Sequence, residues 1–171
     1  SGDSSSLSRL ISLAALAIKW YLFAGIFVTF GLGVGGYFFF QSGPSNDIGW
    51  SSPWFFLCIT TGVTICLVPV WSLLEGCNQV TQLYTFRFFQ GLLISISSWA
   101  AILFGANLWA APLSAVVGIV WSFLFLKKRY FAFLSTLLLS KASGSKLHWS
   151  TDILPMQWRV ALSWISGYFV F

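Results

Sequence analysis

An all-α membrane protein of several spans is the fold class this sequence predicts, and three observations predict it. Hydrophobic residues make up 57% of the 171 positions and charged residues 8%, against about 25% charged in soluble domains. Mean hydropathy is +0.83, and the apolar runs continue through the whole chain. A secretory leader would instead be one short apolar segment after a basic start. Ten Trp and eighteen Phe suit lipid-facing and interfacial positions. The other membrane architecture, a β-barrel, alternates apolar and polar residues over about 10 positions per strand. Residues 57–70 and 113–126 show no such alternation. The expectation is four complete transmembrane helices and a truncated fifth.

The first span is expected over residues 20–40. Upstream, Leu7, Leu10, Ile11, Ala14 and Ala15 repeat at helical spacing with Arg9 and serines opposite, which predicts a helix lying in the interface or rising through it. Lys19 marks the boundary and can snorkel to headgroups. Residues 41–53 contain Pro44, Asn46, Asp47 and Gly49 and read as a polar turn region. The second span is expected over 54–74, a mixed polar linker over 75–87, and the third span over 88–104. Gly105-Ala106-Asn107 reads as a tight turn, and Pro112 stands near the start of the fourth span, where proline is tolerated. That span ends at Lys127-Lys128-Arg129.

Residues 130–139 are amphipathic and too short to cross, so a surface helix is expected there. Residues 141–152 read as a Ser-rich linker, and Pro155 opens the fifth span with Arg159 near its start. That run stops at Phe171 with no polar cap, after only half of the ~20 apolar residues a span needs. The other end begins Ser1-Gly2-Asp3 without Met. The expectation is a piece of a longer multi-span protein.

Charge sets the orientation. Arg9 and Lys19 precede the first span, Arg87 falls between the second and third, and Lys127, Lys128, Arg129, Lys141, Lys146 and Arg159 fall between the fourth and fifth. The loops 41–53 and 105–107 hold no Lys or Arg. Every basic residue therefore lies on one side, which the positive-inside rule makes cytoplasmic. This accounts for the +5 net charge without nucleic acid, which would need a basic groove on a soluble surface.

The chemistry-bearing residues are few. Cys58 and Cys66 stand eight apart in one predicted helix, ~12 Å along its axis, too far to bridge. With Cys77 alone and His148 the one histidine, no Cys/His metal set can be assembled. Nor is there a Ser/His/acid set or a phosphate loop, so no enzyme active site and no cofactor are expected. Residues 31–36, Gly-Leu-Gly-Val-Gly-Gly, match G-x-G-x-x-G. That pattern has nucleotide meaning only between a strand and a helix, so it reads here as helix packing, with Gly31 and Gly35 spaced as G-x-x-x-G.

Pro69 lies inside the second span and removes the amide that would bond the Ile65 carbonyl. With Thr60, Thr61 and Thr64 before it, this segment is either a bend lining a pathway or a static kink satisfied by neighbours. Glu75 borders the span as a lone acid. Its alternatives are proton coupling, if desolvation raises its pKa, or a structural contact to Arg87 or to backbone amides. Asn78, Gln79, Gln82 and Gln90 supply amides for sugar hydroxyls or for helix turns. In the fifth span Arg159, Ser163, Ser166 and Gly167 share a helical face, with Gln157 on another. Arg159 suits a phosphorylated substrate or snorkels to anionic headgroups.

Two stretches carry a resemblance. One is Trp71-Ser72-Leu73-Leu74-Glu75-Gly76-Cys77-Asn78-Gln79-Val80 with Arg87-Phe88-Phe89-Gln90. The other is Pro155-Met156-Gln157-Trp158-Arg159-Val160-Ala161-Leu162-Ser163-Trp164-Ile165-Ser166-Gly167-Tyr168-Phe169. Both resemble the polysaccharide-transport branch of the multidrug/oligosaccharidyl-lipid/polysaccharide (MOP) exporter superfamily, the O-antigen flippase-like proteins. Such proteins have two six-helix lobes about a central cavity, joined by a cytoplasmic linker. The resemblance implies that residues 1–129 are a four-helix part of the N-terminal lobe, 130–154 the interlobe linker, and 155–171 the start of the C-terminal lobe.

The implied activity is movement of a lipid-linked oligosaccharide, such as a lipopolysaccharide or other polysaccharide precursor, across the cytoplasmic membrane. It would proceed by alternating access, driven by a proton or sodium gradient. The implied partners are membrane lipids and a polyisoprenoid-linked glycan. Candidate pathway residues are Arg159, Ser163, Gln157, Pro69 and Thr64; candidate coupling or cytoplasmic-gate residues are Glu75, Arg87, Asn78 and Gln79. The alternatives are a multidrug exporter of the same superfamily, which would want an acidic cavity, and a membrane-embedded glycan polymerase or scaffold subunit.

Overall fold

The computed structural model describes residues 2–41, 49–139, 158, 159, 162, 163, 165 and 166, with backbone alone for 2–10, 132–134 and 136–139. Four long helices carry it: α1 (Gly2–Gln41), α2 (Ser51–Gly76), α3 (Val80–Leu103) and α4 (Ala110–Leu139), the last preceded by a 3-10 turn, Asn107–Trp109. No strand occurs among the described residues. The helices contain apolar spans at Ile11–Gln41, Ser51–Gly76, Val80–Leu103 and Asn107–Phe131. The chain is an all-α, multi-span membrane protein. It divides into two compact units, Ala14–Leu139 and Ser1–Leu13 with Ser140–Phe171.

Two of the connections are tight because the same device ends the helix before each. At the end of α2, Asn78 takes a left-handed φ of 59°; its N–H donates to the Glu75 carbonyl and that of Gln79 to the Leu74 carbonyl, both at 3.1 Å. At the end of α3, Gly105 takes φ 77°, with Gly105 N–H on Ile102 O at 3.0 Å and Ala106 N–H on Ala101 O at 2.9 Å. Both are Schellman closures, which satisfy carbonyls the helix would leave unpaired. Pro53 and Pro112 sit in the first turns of α2 and α4, where a missing N–H costs nothing. Such short turns force antiparallel neighbours.

The α1–α2 register is antiparallel as well. Tyr21 O meets Cys66 Sγ at 3.9 Å, Thr29 Oγ1 reaches Cys58 O at 3.4 Å, and Trp54 Nε1 donates to Leu32 O at 3.2 Å. Between these contacts Gly25 and Gly62 bring the backbones together. A Cβ on Gly25 would lie 2.9 Å from Gly62 O, and one on Gly62 would strike Thr29 Oγ1. The packing motif is therefore Gly25-x3-Thr29 against Cys58-x3-Gly62. Gly31 and Gly35 were the expected pair, yet both are exposed and a Cβ on either meets nothing within 4 Å. Their spacing is right, but they lie on a different face of α1 from Gly25.

Of the most apolar stretches, 33% in α2 and 28% in α4 is buried, against 11% in α1 and 6% in α3, so α2 and α4 are the inner helices. Leu67, Leu74 and Leu126 form a core with Val70, Trp71, Phe125 and Tyr130 packed on it. Phe86 from α3 stacks on Trp71 at 5.0 Å and on Phe125 at 4.3 Å, clamping three helices at one level. Phe27, Phe30, Trp99, Leu103 and Phe104 are 69–91% exposed, an apolar surface suited to lipid tails. At the opposite end from the clamp, Phe40 packs on Trp50 and Trp54 at 5.1 Å each, and Phe56 meets Trp109 at 5.9 Å. These Trp side chains fit an interfacial belt.

Two boundaries differ from expectation, and a third selects between alternatives. The 75–87 linker shrinks to residues 77–79, because α3 begins at Val80 and carries Gln82 and Arg87 within it. A polar face at a helix end had imitated a loop. Residues 130–139 continue α4 without a break, so they are not a separate surface helix. The segment upstream of Lys19 likewise belongs to α1, the rising alternative. Of the expected fifth span, residues 158, 159, 162, 163, 165 and 166 are helical. The 42–48 part of the first loop and the 141–152 linker lie outside the described residues.

Candidate functional site

Where α2, α3 and α4 meet, a cavity of about 320 Å³ lies within the bundle, lined by Thr64, Trp71, Gln90, Ser114, Gly118 and Ser122 among others. Its polar groups come from three helices, and no charged residue lines it among the described residues. Gln90 is its centre. The amide Nε2 donates to Gly118 O at 3.0 Å and to Ser122 Oγ at 2.8 Å. Ser122, 2% exposed, donates in turn to Gly118 O at 2.8 Å. Oε1 of Gln90 has no donor among the described residues, so the amide keeps one free acceptor.

Sequence explains why α3 and α4 come close enough for this. Ser114, Gly118 and Ser122 stand four apart on one face of α4, a small-residue ridge of the kind that lets membrane helices approach. A Cβ on Gly118 would meet Ile94 Cδ1 at 2.7 Å. Ser114 donates to Ala111 O at 2.9 Å, which quenches its hydroxyl within its own helix. The four-residue spacing of Ser114, Gly118 and Ser122 is the sequence signal for this contact, whereas Gln90 stands in the sequence as one amide among several.

Of the expected pathway residues, Thr64 lines this cavity and Pro69 does not. Pro69 is buried inside the unbroken α2. The threonine hydroxyls before it are spent locally: Thr60 and Thr61 donate to Leu57 O at 2.9 and 2.8 Å, and Thr64 to Thr60 O at 2.9 Å. Arg159 and Ser163 are helical and exposed and belong to the other unit. There Ser166 Oγ donates to Ser163 O at 2.9 Å. Gln157 lies outside the described residues.

The expected coupling residues gather at the end of the bundle beyond the aromatic clamp. Glu75 Oε1 and Arg87 Nη2 form an ion pair at 3.2 Å with both side chains about two-fifths exposed, and Arg87 also lies over the Tyr84 ring at 5.5 Å. Asn78 forms the left-handed closure of α2 described above. Gln79 Oε1 lies 3.5 Å from Tyr130 Oη. The stronger partner is Gln82, absent from the expected set, whose Oε1 accepts from Tyr130 Oη at 2.8 Å and from Arg129 Nε at 2.9 Å. This network ties the start of α3 to α4, so the amides here serve the fold first. With Lys19 on the half of α1 that pairs with the end of α2, the basic residues of this unit collect toward one end.

All three cysteines are free thiols. Among the described residues no group of three His, Cys, Asp or Glu side chains is placed to hold a metal. No protein-family model, curated protein or solved structure matches the chain.

Proposed function

We propose that the chain is part of a membrane transporter that moves a lipid-linked oligosaccharide across the cytoplasmic membrane by alternating access, with its basic end facing the cytoplasm. The observation that supports this most is the mainly apolar cavity with Gln90 in its wall, in which no charged side chain is found among the described lining residues. An amide with a free acceptor, a serine and threonine rim and the Trp71 ring match the alternating hydroxyl and C–H faces of a sugar. Polar side chains at membrane depth that face a cavity are candidates for a pathway, and Gln90 is one although its Nε2 is already bonded to α4. A cationic drug would instead call for a carboxylate. The acid nearest in sequence, Glu75, is already paired with Arg87 and does not line the cavity.

The test is Gln90→Leu in cells that depend on this protein for glycan export, with membrane levels checked. Export should fall at least several-fold while thermal stability in detergent shifts little, since a membrane hydrogen bond is worth about 0.6 kcal/mol on average. Undiminished glycan export from a variant present at normal levels would sink the reading. Drug efflux lost in its place would favour the multidrug alternative.

A further inference from the structure

We infer that the Gln90 cavity selects its occupant by charge: it takes one uncharged, hydroxyl-bearing sugar ring and refuses an acidic sugar or a phosphate. The selection rests on the transport reading and names the part of the substrate that enters. The walls come from three helices, with Thr64 and Trp71 on α2, Gln90 on α3, and Ser114 and Ser122 on α4.

The placement of protons carries it. Each hydroxyl proton on the wall is already given to a backbone carbonyl: Thr64 donates to Thr60 O at 2.9 Å, Ser114 to Ala111 O at 2.9 Å and Ser122 to Gly118 O at 2.8 Å. The two amide protons of Gln90 go to Gly118 O at 3.0 Å and Ser122 Oγ at 2.8 Å. A carbonyl oxygen can only accept, so the group of Gln90 that meets Gly118 O is the NH₂, and the free end of the amide is Oε1. Gln90 Oε1, Thr64 Oγ1 and Ser114 Oγ thus keep lone pairs and have no proton to give. The Trp71 indole N–H is the one lining side-chain donor without an acceptor among the described residues, and no cation stands among them.

Such a wall asks its occupant for protons. A sugar hydroxyl gives one and still accepts. A carboxylate or an ionised phosphate brings only lone pairs, and it would lose its hydration in a mainly apolar space with one N–H to replace it, which is among the costliest transfers. An ammonium would meet the lone pairs but no carboxylate to offset its own lost hydration. Size sets the share of the glycan that enters. At about 320 Å³ the cavity lies at the low end of the ~300–1,000 Å³ of ligand pockets, which suits a single ring. The phosphates of a lipid-linked glycan would then pass outside this cavity.

The experiment is native mass spectrometry of the full chain in a sugar-free detergent, with octyl glucoside, octyl glucuronide and octylammonium competing. The three share a tail, and the net charge of +5 biases nonspecific adsorption toward the glucuronide, against the expected result. Octyl glucoside should be retained about tenfold more tightly than the glucuronide, the cost of one poorly solvated charge. Gln90→Leu should remove most of that preference by weakening the glucoside alone. Thr64→Val, nearly isosteric and outside the α3–α4 contact, should reduce it about twofold to threefold. Equal retention of the two glycosides, stronger retention of octylammonium, or a preference that survives both substitutions would overturn the inference. Transport is read separately in cells carrying Gln90→Leu. Selective retention with undiminished export would sink the transport reading and leave a sugar-binding cavity, whereas lost export with equal retention of the glycosides would overturn the selection by charge alone.

Discussion

Gly25 and Gly62 bring α1 and α2 into backbone contact, each leaving no room for a Cβ on the other's helix: at Gly25 one would sit 2.8 Å from Cys66 Sγ and 2.9 Å from Gly62 O. Gly25→Ala should therefore push the helices apart and destabilise the protein by about 1–3 kcal/mol, the usual range for overpacking. Gly31→Ala and Gly35→Ala meet open space and should be neutral or slightly stabilising. Thermal unfolding in detergent, followed by tryptophan fluorescence, checks all three. Equal losses at Gly25 and Gly31 would refute this packing.

Gly118 offers a graded comparison within the same reasoning. The atom an added Cβ would strike is Ile94 Cδ1, the far end of a flexible side chain, so that contact can yield where the Gly25 contact with backbone cannot. The same distinction explains what was readable from sequence. Four spans followed from composition and run length alone, because lipid exposure rewards apolar residues on every face. The face used for packing did not follow. The chain has 15 glycines, and α1 offers both Gly31-x3-Gly35 and Gly25-x3-Thr29; only the three-dimensional partner, Gly62 with its flanking Cys58 and Cys66, selects between them. The Gln90 site was hidden for a related reason. Its amide falls inside the expected third span, 88–104, but periodicity within one helix does not name Gly118 and Ser122, the partners it bonds on α4.

Asn78 was a candidate gate residue, and its φ of 59° gives it a local role that can be tested apart from transport. A left-handed residue suits Gly, tolerates Asn and penalises a Cβ-bearing side chain without a local hydrogen-bonding group. Asn78→Gly should be neutral or mildly stabilising, and Asn78→Ala should cost about 1 kcal/mol. Unfolding midpoints read the difference. If Asn78→Gly abolished glycan export while leaving stability intact, the amide would carry a function beyond closing α2.

Glu75 and Arg87 span the turn that Asn78 closes. Their 3.2 Å contact is two-fifths exposed, so solvent and salt screen it, and such pairs contribute about 0–1 kcal/mol. A double-mutant cycle with Glu75→Gln and Arg87→Gln should give a coupling in that range that shrinks as salt rises. For transport, Glu75→Gln should leave activity and its pH dependence unchanged if the pair is structural. A flattened pH profile in the Glu75→Gln protein would instead assign Glu75 to proton coupling.

Arg159 separates lipid anchoring from substrate recognition, provided the replacement keeps the charge. The residue is helical and exposed, with Ser163 one turn on, and makes no ion pair among the described residues. A snorkelling cation needs only positive charge and a long stem, which lysine supplies. A pyrophosphate contact uses the planar fork of guanidinium donors, which lysine lacks. If Arg159 meets the pyrophosphate of a lipid-linked glycan, Arg159→Ala should abolish export, and Arg159→Lys should restore only part of it at normal membrane levels. If Arg159 only anchors the helix at the headgroups, Arg159→Lys should export as the unaltered protein does. Unchanged export after Arg159→Ala would remove it from the pathway altogether.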